Sequence, residues 1–229
     1  MILVAAHDEA DRVGTTIDAL RRAFPDARIT VADDASRDGT AEVAMRHGAE
    51  VVRRGRSHGK GGNMTAAAES VMEFARAPDP PVFLLCDGDL GESAGRLIKL
   101  VGAVEGGECG LAVASFSRRV GGGFGVALGF ARWAIRRRCG VAPQAPISGQ
   151  RALSAAAFAD VVPFARGFGM EIGITIDAVR AGHELREYEL DLEHRASGRS
   201  LSGFWHRGRQ FLDFVRVYLA RRGAKEGRA

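Results

Sequence analysis

Long apolar runs are missing from this 229-residue sequence. No stretch reaches the roughly 18 uninterrupted apolar residues that a membrane-spanning helix needs, so none is expected. Met1 leads straight into the apolar "ILVAA" with no basic segment before it and no cleavage site after it, so a signal peptide is not expected either. Cysteine is scarce. Cys86, Cys109 and Cys139 are odd in number, widely spaced and form no CxxC pair, which excludes a disulfide framework or a zinc knuckle and suits reduced thiols in a cytoplasm. Linkers, internal repeats and low-complexity runs are absent, and the length fits one large α/β domain. Acidic residues are missing from one long stretch: Arg118 to Arg151 holds seven arginines and no carboxylate. From Arg195 to the end there are nine Lys or Arg against Asp213 and Glu226. Such polarity implies an anionic partner, a phosphate or a lipid headgroup. Nucleic acid is not expected, because no helix-turn-helix, RNP or zinc-finger pattern accompanies the charge.

What is present is an alternation of short apolar runs with helical patterns. "ILVAA", "RITVADD", "AEVVRR", "PVFLLCD" and "GLAVASF" read as strands, with amphipathic helices between them. "GKGGNMTAAAESVMEFAR" reads as a glycine-rich loop feeding a helix. The second half is less regular. "VGGGFGVALGFARWAIRRRCG" is a glycine-rich loop and a helix, "APISGQRALS" a turn before a helix, "GFGMEIGITIDAVRAG" a helix, "ELREYELDL" a strand, and "FWHRGRQFLDFVRVYLARR" a basic, aromatic closing helix. Repeated βα units predict an open, mostly parallel sheet.

In such sheets ligands bind beyond the carboxyl ends of the strands. Three acidic signals fall there: His7-Asp8-Glu9, Asp33-Asp34, and Asp87-Gly88-Asp89. Extended residues two apart point to one side, so Asp87 and Asp89 can face one ligand. Hard divalent cations take carboxylate oxygen, and Mg²⁺ often combines one or two carboxylates with substrate phosphates. An isolated Asp-Gly-Asp is most simply a turn; its place behind a buried strand, beside two further acidic ends, favours a cation. In "DDASRDGT", Ser36, Asp38 and Thr40 are turn and cap residues. Asp33, which ends the strand, is the one that could accept hydrogen bonds from a nucleobase or ribose. "HGKGGNM" has the look of a phosphate cradle around Lys60 but lacks the spacing of a P-loop.

"VAAHDEADRVGTTIDAL", "VADDASRDGT", "GKGGN" and "CDGDL" stand in the order and spacing of the nucleotide-sugar-binding half of family 2 glycosyltransferases, and residues 1–115 resemble that family. His7 replaces the usual aromatic residue, Asp8 an Asn, and Ala35 a Gly. The resemblance implies a GT-A fold, mixed and mostly parallel with flanking helices, in a single domain of two halves, 1–115 for the donor and 116–229 for the acceptor. It implies a nucleoside-diphosphate sugar (UDP-sugar favoured, GDP-sugar possible) and Mg²⁺ or Mn²⁺. Carried over, Ala5, Glu9, Asp33, Lys60, Asp87 and Gly88 would bind the donor, and Asp89 would ligate the metal and serve catalysis. "GFGMEIGITID" followed by "LEHRASGR" is similar to the acceptor half of the glucosyl-3-phosphoglycerate synthase group. That similarity implies Glu171 beside the reacting sugar, where it would deprotonate or orient the acceptor, and His194 in the metal shell. Arg195 and Arg199, together with Arg151, would grip an acceptor phosphate.

Two acceptors fit: a polyprenyl phosphate at the membrane surface, or a small phosphorylated or hydroxy acid. The arginine-rich aromatic segments favour the first and would place a cytoplasmic protein peripherally on the inner face of the membrane. The bland account of the closing helix is that its aromatic stripe packs on the sheet and its arginines are solvated. A catalytically silent GT-A domain, acting as a scaffold for a nucleotide sugar or an anionic surface, is the alternative to an enzyme. Asp87, Asp89, Glu171 and His194, all present together, argue against it. A nucleotidyltransferase is disfavoured because "HDEADRV" stands where a glycine-rich signature would follow the first strand.

Overall fold

The computed structural model describes residues 1–116, 125–192 and 212–221. In chain order these are β1 (Ile2–Ala6), α1 (Val13–Ala23), β2 (Ile29–Asp33), α2 (Thr40–Arg46), β3 (Glu50–Arg53), α3 (Gly59–Ser70), α4 (Met72–Ala75) and β4 (Phe83–Asp87). A 3₁₀ turn (Gly91–Leu97) leads into α5 (Ile98–Glu105), β5 (Leu111–Phe116), α6 (Gly125–Cys139), β6 (Arg151–Leu153) and α7 (Ala155–Val161). A second 3₁₀ turn (Gly167–Gly169) precedes α8 (Met170–Arg180) and β7 (Leu185–Leu190), and a helix over 212–220, here α9, follows.

One seven-stranded sheet runs β3-β2-β1-β4-β6-β5-β7. β6 alone is antiparallel to its neighbours β4 and β5; the other pairings are parallel. The expected mixed, mostly parallel sheet is borne out. The strand order reverses between β1 and β4, and such a switch point opens a crevice at the carboxyl ends of the two strands.

Alternation along the strands builds a core on each face. Ile2, Val4, Leu84 and Cys86 pack with Ile17 and Leu20 of α1 and with Leu100 of α5. Leu3, Phe83, Leu85 and Val113 face the other way, onto Met64 of α3, Phe158 of α7 and Ile174 of α8. Phe83 and Phe158 stack with ring centroids 3.8 Å apart. A third cluster joins Ala131 and Ile135 of α6 to Ile172 and Ile176 of α8 and to Phe214 and Val217 of α9. Within the part that is described, the apolar side of the closing helix is buried, but against α6 and α8 rather than on the sheet as the bland account had it.

Two elements differ from the sequence reading. "GKGG" is not a loop before a helix but the first turn of α3, and "RAL" is a strand. Gly61 explains the first: a Cβ there would lie 1.9 Å from Ala165 O, so only glycine lets this turn seat against the 165–167 segment. β6 is three residues long and opens on a buried arginine, so it carries neither the length nor the apolar pattern of a central strand.

Candidate active site

The Asp-Gly-Asp turn is anchored before it can bind anything. Ala5 pairs with Asp87 across the sheet, and Gly88 N–H donates to Ala5 O at 2.8 Å. A Cβ on Gly88 would stand 3.2 Å from Ala5 O and 3.3 Å from Ala6 Cβ, so glycine keeps the turn close to β1. From α1, Thr16 Oγ1 donates to Gly88 O (2.7 Å) and accepts from Gly91 N (2.9 Å). Arg12 Nη1 donates to Asp89 O at 3.0 Å. These bonds fix the backbone that carries the half-buried Asp87 and Asp89.

Lys60 occupies the centre. Its Nζ lies 2.6 Å from Asp87 Oδ1 and 2.8 Å from Glu171 Oε1. α3 supplies the lysine, β4 one carboxylate and the first turn of α8 the other. Burial alone would lower the Lys60 pKa, but Asp87 and Glu171 outweigh it and hold the ammonium above its ordinary value. Gln150 Nε2 donates to Asp87 Oδ2 at 3.0 Å, from just before β6. Gly149 lets the strand pass this cluster: a Cβ there would be 2.6 Å from both Asp87 Oδ2 and Lys60 Nζ. Two carboxylates around one ammonium leave a net negative charge, which suits a cation and a polyhydroxyl ligand better than a bare anion. Cys86, next to this cluster, is fully buried and its thiol is pushed up by burial, so it is no nucleophile near neutrality.

The loops after β1 and β2 are laced together. Asp8 N donates to Ser36 Oγ, Glu9 N to Thr40 Oγ1, Ala10 N to Asp38 Oδ2, and Arg37 N to Asp8 Oδ1. The structural role read for Ser36, Asp38 and Thr40 follows from these bonds. Asp8 (φ 54°) and Ala35 (φ 61°) hold left-handed conformations. Aspartate tolerates this region, whereas alanine does so at a cost that glycine would not bear. Beyond these loops a cleft of about 750 Å³ is lined by His7, Asp8 and four arginines, Arg37, Arg53, Arg54 and Arg56. Asp33 does not open into it. The carboxylate is fully buried: Oδ1 accepts from Ser36 N at 3.1 Å, and Arg53 Nε lies 3.1 Å from Oδ2 without hydrogen-bond alignment. The side chain presented to the cleft is Arg53.

The structure thus brings Ala5, Gly88, Asp87, Asp89, Lys60 and Glu171 together at the carboxyl ends of β1 and β4. Arg151 does not join them as a phosphate ligand. It is 1% exposed, and its guanidinium donates to Ser148 O (2.7 Å), Thr175 Oγ1 (2.8 Å) and Pro146 O (3.3 Å). Burial pulls its pKa down to about 10, against the opposing pull of Glu171 and Glu187. Its work is to shape the 146–150 segment behind Gln150, so the acceptor role expected for it is corrected. His194, Arg195 and Arg199 lie outside the described residues. Gln150, Gly149, Thr16 and Arg53 were not anticipated. Only the "SGQ" before β6 hinted at the first two, as a small residue and an amide at a strand entrance.

This sheet, with its acidic turn at the switch point, is that of a GT-A glycosyltransferase. The sequence pattern of glycosyl transferase family 2 matches residues 1–139, and the chain belongs to that family. No curated protein matches it. Among solved structures it is similar to glucosyl-3-phosphoglycerate synthase from Mycobacterium tuberculosis. The complex of that protein with phosphoglyceric acid matches at 23% identity and a TM-score of 0.75, over 99% of this chain and 80% of that one. Its complex with Mn²⁺, uridine-diphosphate-glucose and glycerol 3-phosphate matches at 24% and 0.74, with the same coverage. A crystal structure described only as a mycobacterial protein matches at 25% and 0.73, over 98% of this chain and 75% of that one.

Proposed function

We propose that this glycosyltransferase moves a sugar from a uridine-diphosphate sugar to a phosphorylated acceptor, with Mg²⁺ or Mn²⁺ at Asp89. The observation that carries the reading is the Lys60 bridge between Asp87 and Glu171 beside the Asp-Gly-Asp turn. It sets a carboxylate from the donor half and one from the acceptor half on a single ammonium. The similar synthase from M. tuberculosis, solved with Mn²⁺, UDP-glucose and glycerol 3-phosphate, supports the donor, the metal and the phosphate on the acceptor.

The residues present fit a hard cation. Asp87 is engaged by Lys60 and Gln150, and Asp89, the second acid of the Asp-Gly-Asp turn and the family-2 position for the metal, would hold the cation. No group of three His, Cys, Asp or Glu gathers among the described residues. His194 would add an imidazole nitrogen, and the diphosphate would complete the shell. When bound, the cation offsets negative charge developing on the leaving nucleoside diphosphate. The protein's own part is positional. Asp87, held by Lys60 and Gln150, receives hydroxyls of the ribose or sugar. Glu171, 5% exposed and pinned by Lys60, orients the acceptor hydroxyl or takes its proton. The arginines of the 750 Å³ cleft complement the nucleotide's negative charge from the far side. A polyprenyl phosphate is the second reading of the acceptor, favoured by Trp133, which stands 50% exposed among arginines of α6.

The test is thermal stability with UDP-, GDP- and dTDP-sugars, with and without Mn²⁺. At about 100 times Kd a ligand adds about 2.7 kcal/mol, roughly 5–10 °C for a chain of this size. A Mn²⁺-dependent rise with a UDP-sugar, lost in Asp89→Ala, supports the reading. An equal rise in Asp89→Ala would remove the metal assignment, and no rise with any nucleotide would remove the donor.

A further inference from the structure

We propose that the joint outer face of α6 and α9 is a docking surface for an anionic lipid bilayer. On α6 the exposed positions recur at helical spacing and include Arg132, Trp133, Arg136 and Arg137. On α9 the exposed positions include Leu212, Arg216 and Leu219. Five large apolar residues of the described structure are exposed, and three of them stand here: Trp133 (50%), Leu212 (55%) and Leu219 (42%). The two helices are joined at this seam. The ring of Trp133 lies 4.8 Å from that of Tyr218, and the Arg138 guanidinium sits 3.8 Å over Tyr218.

Charge completes the case. The sequence has no Asp or Glu between Glu108 and Asp160, so α6 carries none. The acid of α9, Asp213, has 13% side-chain exposure; its Oδ2 accepts from Phe168 N at 3.2 Å and its Oδ1 pairs with Arg216 Nη1 at 3.1 Å, so the free positive charge of the face rests on α6. Arg136 and Arg137 have no ion pair among the described residues. Arginine forks match phosphate, and a half-exposed tryptophan suits the boundary between headgroup and acyl chain. The contact would be shallow, since no described helix is long and apolar enough to cross a membrane. A second copy fits less well: a two-fold contact presents one patch to itself and would set these arginines against each other. The inner side of α9 meets the site, with Val217 against Gly169 just before Glu171. The proposal stands whichever acceptor is used.

The experiment is co-sedimentation of the full chain with vesicles of phosphatidylcholine alone, or mixed with phosphatidylglycerol. Binding is expected only to the mixed vesicles. Each arginine near an anionic surface is worth about fivefold in affinity, so Arg136→Gln with Arg137→Gln is expected to weaken it about 25-fold. In a Trp205→Phe background the emission of Trp133 is expected to shift to the blue on binding. No binding, unchanged binding by the double variant, or unmoved emission would each overturn the proposal. So would a dimer in solution that Trp133→Ala splits, because a second copy would then cover this face.

Discussion

Lys60 and Glu171, from the first turns of α3 and α8, meet at 2.8 Å, and the same ammonium reaches Asp87 at 2.6 Å. Replacing Lys60 by Met leaves two carboxylates facing each other, one nearly buried. The expected cost is about 2 kcal/mol or more, read by urea denaturation. Adding Glu171→Gln is expected to recover a good part of it, because the repulsion goes with the charge. The pH dependence follows from the sign. The Lys60 pKa is raised on folding, so its contribution is fully present below the unfolded value of 10.5 and fades only as pH passes the folded one. The loss caused by Lys60→Met should therefore be alike at about pH 7 and about pH 9.

Gly149→Ala tests whether this cluster needs its present geometry. The added Cβ would fall 2.6 Å from Asp87 Oδ2 and from Lys60 Nζ, both ends of side chains that can move aside. Stability should change by about 1 kcal/mol or less, while kcat/KM falls about tenfold or more because Asp87 is displaced. A calorimetric Tm and a UDP-release assay separate the two. Unchanged turnover would show that Asp87 tolerates displacement.

The parallel half was legible because its signals are local. An apolar strand that ends in Asp87-Gly88-Asp89 marks both the end of a strand and the ligand side of the sheet, and successive βα units leave few topologies open. The second half of the chain was not. β6 is too short for a period, and Arg151, which reads as a surface cation, is buried because Ser148 O, Pro146 O and Thr175 Oγ1 are gathered around it by tertiary folding. "GKGG" misled for a related reason. Glycines signal a loop by propensity, but Gly61 is in a helix because the backbone of Ala165 needs the space. Asp33 was placed correctly at a strand end; that Arg53 would cover it depends on the end of the neighbouring strand β3, which spacing within one motif does not encode.

Arg151→Met distinguishes a structural staple from a phosphate ligand. It removes the donors for three buried oxygens, so unfolding should cost about 3 kcal/mol less than in the wild type. Arg151→Lys should rescue little, since one ammonium cannot reproduce three directed bonds. A variant of wild-type stability whose only defect is a raised KM for the acceptor would restore Arg151 to the acceptor site.

Thr16→Val asks how much the site depends on the rigidity of its turn. Thr16 Oγ1 both donates to Gly88 O and accepts from Gly91 N, and nothing else on α1 reaches those two groups by hydrogen bonding. Valine keeps the shape and leaves a buried carbonyl and a part-buried N–H without that partner, at a cost of about 1–3 kcal/mol. Lost stability alone would be a packing result. The informative readout is ligand-induced stabilisation, since Asp89 rides on the freed backbone and its position for a cation is no longer set from α1. The expected outcome is that the Mn²⁺-dependent part of the UDP-sugar shift shrinks by half or more, while any metal-independent part is retained. If both parts persist at wild-type size, Arg12 on Asp89 O and Ala5 on Gly88 N suffice to hold the turn, and α1 serves the core rather than the site.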